Sequence, residues 1–284
     1  FFSPANVMRL LEVVRGRETR AAVIATAMDL AKRIRKLPVL SRVCHGFIAN
    51  RVMGVRSQLA QALLLEGPTP QEIDSALYDY GFAMGPFQMA DLVGLDVIGR
   101  GANERTLRGD LVALDRLGQK KNGGFYDYDE NRQPTPSPVA AKVIADFAAF
   151  KGVTAKGSLP AEDIVARLLY PVVNECARVV EEGIAIRASD VDMACILGYN
   201  WPVFTGGPMF WADHYGLAKV VERLKHYGIT PAPLLEKLAA SGQTFTGLNF
   251  GTQDYLGLSS DPEIKAIAKA VIAAMKARGA AVPI

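Results

Sequence analysis

The sequence has little of what staples or metallates a fold. Its 284 residues include three cysteines (Cys44, Cys176, Cys195) and three histidines (His45, His214, His226). The cysteines are scattered, odd in number and form no CxxC pair. A disulfide framework is thereby excluded, and a reducing, cytoplasmic setting is expected. No two histidines have zinc-ligand spacing. No run of 18 apolar residues is free of charge, which excludes an ordinary membrane span. Neither sign of charge dominates: 32 Lys and Arg against 29 Asp and Glu leave a net +3, too little for a phosphate-tracking surface, so no nucleic-acid partner is expected. P-loop, GxSxG and HExxH motifs are missing. Gly99-Arg100-Gly101 is followed by Glu104 rather than Gly and by no strand signal before it, so it is not a dinucleotide-binding loop. The opening Phe1-Phe2-Ser3-Pro4 has no initiator Met and no signal-peptide core, and reads as a chain that starts inside a longer one. The last residues, Gly279 to Ile284, carry no peroxisomal or retention address.

What is present is ordinary globular material. Half of the residues are apolar and 21% are charged, enough for a large core in about two domains. From Met8 to Val14 both faces of an extended segment are largely apolar, which predicts a buried strand. A helix capped by Thr19 should follow, with Val23, Ala27, Leu30 and Ile34 as its buried stripe. Leu37 to Val43 predicts a second strand. Two strands and a helix resemble the tail of an α/β domain. From Gly46 the pattern turns helical. Ile48, Val52, Val55, Leu59 and Leu63 keep a 3–4 spacing, and Gly67 stops the helix. Thr69-Pro70-Gln71-Glu72 is a capping box ahead of Ile73, Leu77 and Tyr80, and Gly81 ends that helix. Gly85-Pro86 opens another helix, closed by Gly94. Gln119 to Tyr128 predicts a small hairpin or irregular turn, and the proline-rich Asp129 to Pro138 a linker.

The helical pattern then repeats. Ile48-Ala49-Asn50-Arg51 is echoed by Ile164-Val165-Ala166-Arg167, Glu66-Gly67 by Glu182-Gly183, and Asp74 by Asp192. Gly85-Pro86, Asp91 and Gly94 return as Gly207-Pro208, Asp213 and Gly216 at a constant offset of 122 residues. This predicts two copies of one helical unit, each needing the other to bury its apolar faces.

Few residues suggest chemistry. Glu12 sits among Leu10, Leu11, Val13 and Val14, where a carboxylate needs a partner or a raised pKa. It reads either as a functional acid or as an edge-strand acid paired with Arg15 or Arg17. Asn50, in the first turn of the long helix, can offer an amide to a substrate oxygen or to water. His45, beside Gly46, is a general-base or a capping candidate. Asp91 and Asp213 occupy equivalent positions, so a role in the fold is expected of them. Trp201 and Trp211 suit a core or interface, and Lys120-Lys121 a solvated turn.

Taken in order, the motifs resemble a known family. Phe1-Phe2-Ser3-Pro4-Ala5-Asn6-Val7-Met8 through Val14 resembles the stretch after the catalytic histidine of 3-hydroxyacyl-CoA dehydrogenases. Gly46-Phe47-Ile48-Ala49-Asn50-Arg51, Phe82 to Phe87 and Gly123-Gly124-Phe125-Tyr126 extend the likeness. Asn174-Glu175, Glu182 to Ala185 and Gly206-Gly207-Pro208-Met209 resemble the second C-terminal repeat of the multifunctional fatty-acid oxidation enzymes. The likeness covers about residues 1–240 and implies a mostly α fold. In this reading, tandem helical dehydrogenase C-terminal domains follow the last strands and helix of a truncated Rossmann domain. It implies the oxidation of 3-hydroxyacyl-CoA to 3-ketoacyl-CoA, with NAD as cofactor of the full-length parent and none bound by this chain alone. By motif position Glu12 orients the histidine that takes the substrate proton, and Asn50 holds the substrate oxygen. That histidine falls just before Phe1, and the family's serine and NAD loop fall further upstream.

The implied organisation is a Rossmann remnant over 1–44, a first repeat over 45–128, a linker over 129–138, a second repeat over 139–240 and an extension over 241–284. The extension, through Asn249-Phe250 and Asp254-Tyr255-Leu256-Gly257-Leu258, resembles the start of a pyridoxal-phosphate α-oxoamine synthase. Acyl-CoA and an upstream NAD-binding domain are the implied partners, with a homo-oligomer also open. A non-catalytic assembly module and a dehydrogenase of another hydroxy acid are the competing functions.

Overall fold

The computed structural model describes residues 1–98 and 104–246. The glycine pair at 99–101 and the synthase-like segment from 247 onward lie outside the described residues. The chain forms two compact units. One combines Phe1–Val55 with the chain from Tyr170; the other is 56–169.

In the first unit, β1 (Leu10–Arg15) and β2 (Leu37–Arg42) pair in parallel, Glu12 opposite Val39, joined by helix α1 (Ala21–Arg33). The expected strands are there, but α1 corrects two expectations. Its N-cap is Arg20 without a side-chain bond, because the Thr19 hydroxyl instead accepts from Gly16 N–H at 2.9 Å. Its buried residues are Ile24, Ala25 and Ala31, whereas Val23, Leu30 and Ile34 are exposed at 55%, 55% and 43%. The helix carries apolar residues on two sides, and periodicity alone could not say which side meets the sheet. Ile24 wins by packing with Leu40, Val13 and Met28.

Helix α2 (Ala49–Glu66) follows, then α3 (Pro70–Tyr80), α4 (Pro86–Val93), the short α5 (Leu95–Ile98) and α6 (Leu107–Ala113). The Thr69 capping box forms as expected, with Glu72 bonding back to the Thr69 N–H. In α2 the inner stripe is Val52, Arg56, Ala60 and Leu63, with Val55 and Leu59 only half-buried. The Arg56 guanidinium lies 4.9 Å from the Phe82 ring centroid. The segment read as a linker is structured. Pro134–Pro136 (β4) pairs antiparallel with Tyr126–Tyr128 (β3), and Ser137 caps α7 (Pro138–Phe150). Proline is tolerated because this two-stranded ribbon consists only of edge strands.

The second set of helices is α8 (Ala161–Glu181), α9 (Ala188–Tyr199), α10 (Pro208–Tyr215), α11 (Leu217–His226) and α12 (Pro233–Ser241). The repeat is visible bond by bond. Asp74 accepts from Phe87 and Gln88 N–H at the start of α4; Asp192 accepts from Met209 and Phe210 N–H at the start of α10. Asp91 accepts from Phe125 and Tyr126 N–H; Asp213 accepts from Phe245 and Thr246 N–H. Each acid satisfies two amides that have no partner in their own helix or turn. Asp91 and Asp213 thus serve the fold, as expected. So do Trp201, fully buried and bonded to Thr205, and Lys120 and Lys121, paired with Asp96 and Asp115.

Removing Asp74 or Asp192 strands one buried and one part-buried N–H group, so Asp74→Ala and Asp192→Ala should each lower unfolding free energy by about 1–3 kcal/mol in urea titrations. Burial also pushes the Asp192 carboxyl up to about 7. A folded pKa above the unfolded value gives stability that is complete at low pH and is lost as pH rises through the folded value. Measured from pH 4 to 7.5, wild-type stability should therefore fall relative to Asp192→Asn, which does not titrate.

Candidate active site

The site is built where β1 meets the start of α2. Ahead of that helix, Gly46 and Phe47 both take left-handed backbone conformations, with φ of 74° and 53°. The turn is tight: a side-chain carbon on Gly46 would lie 2.7 Å from the Arg51 nitrogen. The turn delivers the Ile48 and Ala49 amides to Glu12, whose Oε1 accepts from both at 2.9 Å. A strand carboxylate thus caps a helix 36 residues away, where the helix dipole favours negative charge.

The edge-strand pairing of Glu12 with Arg15 or Arg17 does not form, since its partners are the Ile48 and Ala49 amides. Burial holds its carboxyl above the ordinary carboxylate range, and the Ala49 and Ile48 amides offset part of that rise. Among the described residues only Oε1 is engaged. Oε2 accepts no hydrogen bond among the described residues.

Asn50 follows Ala49 in the first turn of α2 and is exposed, as is His45. Glu12 and Asn50 are therefore brought to one helix start, the first through the amide of the residue next to the second. Helix α9 closes on this corner. A side-chain carbon at Gly198 would lie 2.9 Å from Ala49 Cβ and 3.0 Å from Leu10 Cδ2, so only glycine permits the approach. The turn after α8 also adds to β2, with Arg42 N–H donating to Ile184 O at 2.9 Å.

Sequence reasoning missed the ion cluster beside Asn50. Arg51 donates to Glu175 and forks onto Glu182, a pairing that its echo, Arg167 with Glu66, repeats. The signal was present in the matched Arg and Glu positions of the two copies, but it does not say which Glu meets which Arg. Among the described residues no group of three His, Cys, Asp or Glu could hold a metal ion. None of the described helices is long and apolar enough to cross a membrane.

A strand-borne acid capping the first of two duplicated helical sets defines the class, and comparison with known proteins gives the family. Residues 46–128 and 164–246 match the model for the 3-hydroxyacyl-CoA dehydrogenase C-terminal domain, and residues 1–44 match the NAD binding domain of 3-hydroxyacyl-CoA dehydrogenase. The chain belongs to the 3-hydroxyacyl-CoA dehydrogenase family. It is 40% identical, over 87% of its length, to the glyoxysomal fatty acid beta-oxidation multifunctional protein MFP-a of Cucumis sativus. It is 38% identical, over 85% of its length, to the peroxisomal bifunctional enzyme of Danio rerio. It spans only 37% and 38% of those two proteins. The crystal structure of the dehydrogenase part of multifunctional enzyme 1 from C. elegans superposes with a TM-score of 0.62 at 33% identity, covering 84% of this chain and 58% of that one. These relatives are named for organelles, so they lend no support to the cytoplasmic setting read from the cysteines. The residues matched by the family models end at 246 and do not include the synthase-like segment.

If Glu12 is a long-range helix cap, Glu12→Ala should cost about 1–2 kcal/mol of stability. Glu12→Gln, whose amide oxygen still accepts, should cost distinctly less. Equal losses in urea denaturation would show that the charge rather than the acceptor is what the helix start requires.

Proposed function

We propose that this chain is the acyl-CoA-facing portion of a dehydrogenase that oxidises 3-hydroxyacyl-CoA to 3-ketoacyl-CoA, within a larger multifunctional enzyme. One observation carries the reading: Glu12 is locked through Oε1 by two helix amides, while Oε2 accepts no hydrogen bond among the described residues. A histidine preceding Phe1 would meet a carboxylate already fixed in place. Such a carboxylate selects the imidazole tautomer and stabilises the imidazolium formed when the substrate hydroxyl gives up its proton. It also explains why an acid is tolerated where burial alone raises its pKa, since an opposing cation reverses that shift.

Asn50, exposed at the same helix start, supplies an amide N–H to the substrate oxygen as it becomes a carbonyl. Residues 1–44 match an NAD binding domain, yet the described residues hold no glycine-rich phosphate turn. β1 leads into α1 through Gly16 and Arg17 to Arg20, without the glycine-rich turn that lets a pyrophosphate approach backbone amides. No hydride step is therefore assigned to these residues, and their part is the proton and the substrate oxygen. The organelle names of the relatives make a peroxisome-like compartment the preferred setting. The assembly-module alternative does not explain the carboxylate oxygen that accepts no hydrogen bond among the described residues.

The test is NADH oxidation with acetoacetyl-CoA by the full-length protein. Glu12→Gln should lower kcat by about two orders of magnitude or more while leaving the fold intact, because an uncharged amide cannot stabilise the imidazolium in the transition state. Asn50→Ala should lower kcat/KM by about tenfold to a hundredfold. Unchanged turnover in Glu12→Gln would remove Glu12 from the site.

A further inference from the structure

Arg51 stands next to Asn50, and no role above uses it. Its ion-pair partners both come from the second repeat, and Cys44 adds a side-chain hydrogen bond. Nε donates to Glu175 Oε1 at 2.5 Å, and the two terminal nitrogens donate to the two oxygens of Glu182 at 2.6 and 2.8 Å. The fork-on-carboxylate geometry is the most directional ion pair available to side chains. Arg51 is 17% and Glu175 11% exposed, so solvent screens that contact less than a surface one, while Glu182 is 47% exposed and its fork is more screened. The Arg51 N–H also donates to Gly46 O, so the whole turn is pinned. Glu12 fixes the residues just before Asn50, and Glu175 with Glu182 fix the residue just after it.

The fold contains its own control. Arg167 of α8 forks onto Glu66 of α2 at 2.8 and 2.6 Å, with Glu66 25% exposed against 47% for Glu182. The two pairs come from equivalent positions of the two copies. Yet Glu66 lies 16 residues beyond Asn50, about 24 Å along the helix at ~1.5 Å per residue.

The geometry points to Arg51, clamped by Glu175 and Glu182, as a positioning residue through which the second repeat sets where Asn50 stands on the substrate oxygen. This rests on the proposed role of Asn50. It gives the second repeat a part in the reaction that a spacer would not have.

The experiment compares Glu182→Gln with Glu66→Gln in the full-length protein. Both should lose thermal stability, Glu66→Gln at least as much as Glu182→Gln because Glu66 is the more buried acid. Only Glu182→Gln should lose kcat with acetoacetyl-CoA, by about tenfold or more, with KM within about twofold. Arg51→Lys, which keeps the charge but not the fork, should fall between wild type and Arg51→Met. Equal kcat in Glu182→Gln and Glu66→Gln overturns the proposal. Should Glu182→Gln not fold, Glu182→Asp against Glu66→Asp makes the same comparison. A wild type without turnover would sink the dehydrogenase reading. The clamp itself would still be read from amide exchange over residues 46–52, which should quicken in Glu182→Gln and not in Glu66→Gln. No difference there counts against it as well.

Discussion

The structure depends on a carboxylate held at the start of a helix that it does not belong to. The first amides of any helix lack partners within it, and α2 begins where the chain has just left a strand, with no Ser, Thr or Asp of its own in place to cap it. Glu12 fills that need from β1, through one oxygen and two N–H groups. The bond ties the strand pair to the helical repeats. It also fixes the direction in which α2 sets out, and with it the place of Asn50. One oxygen does all of this.

The same device recurs at larger scale. Asp74 and Asp192 each reach over a turn to cap the next helix, and Asp91 and Asp213 each gather a later loop. The copies are not identical in their support. In the first, Tyr126 and Tyr128 also donate to Asp74 and Asp91, and desolvation pushes Asp74 up to about 6. In the second, Asp192 has only its two backbone amides among the described residues and rises further. Buried acids in both copies are affordable because their acceptor capacity is filled by amides that would otherwise be orphaned. Arg51 and Arg167 follow the logic of an isologous interface, in which equivalent residues trade partners, here within one polypeptide.

Much of this was legible along the chain. Both early strands, the Thr69 capping box, the stops at Gly67, Gly81 and Gly94 and the duplication rest on local rules of turn and cap chemistry that need no knowledge of neighbours. The errors fall where the decision is not local. Thr19 looks like a cap until Gly16 claims its hydroxyl. Val23, Leu30 and Ile34 look like a core stripe until Ile24 and Ala31 turn out to face the sheet. Residues 129–138 look like a linker because proline usually excludes a strand, yet a two-stranded ribbon has room for it.

For the site the division is similar. That Glu12 needed a partner followed from its apolar neighbours, since burial makes an unpaired carboxylate costly whatever the fold. That Asn50 begins a helix followed from the spacing behind it. The sequence on its own therefore determined which groups were under strain and which repeats existed, because desolvation and backbone geometry act residue by residue. Only the tertiary structure decided that the partners of Glu12 are the Ile48 and Ala49 amides and that Arg51 is gripped by Glu175 and Glu182. Those contacts join residues 36 to 131 positions apart, and separations of that size are chosen by how helices and strands pack, not by any pattern within them.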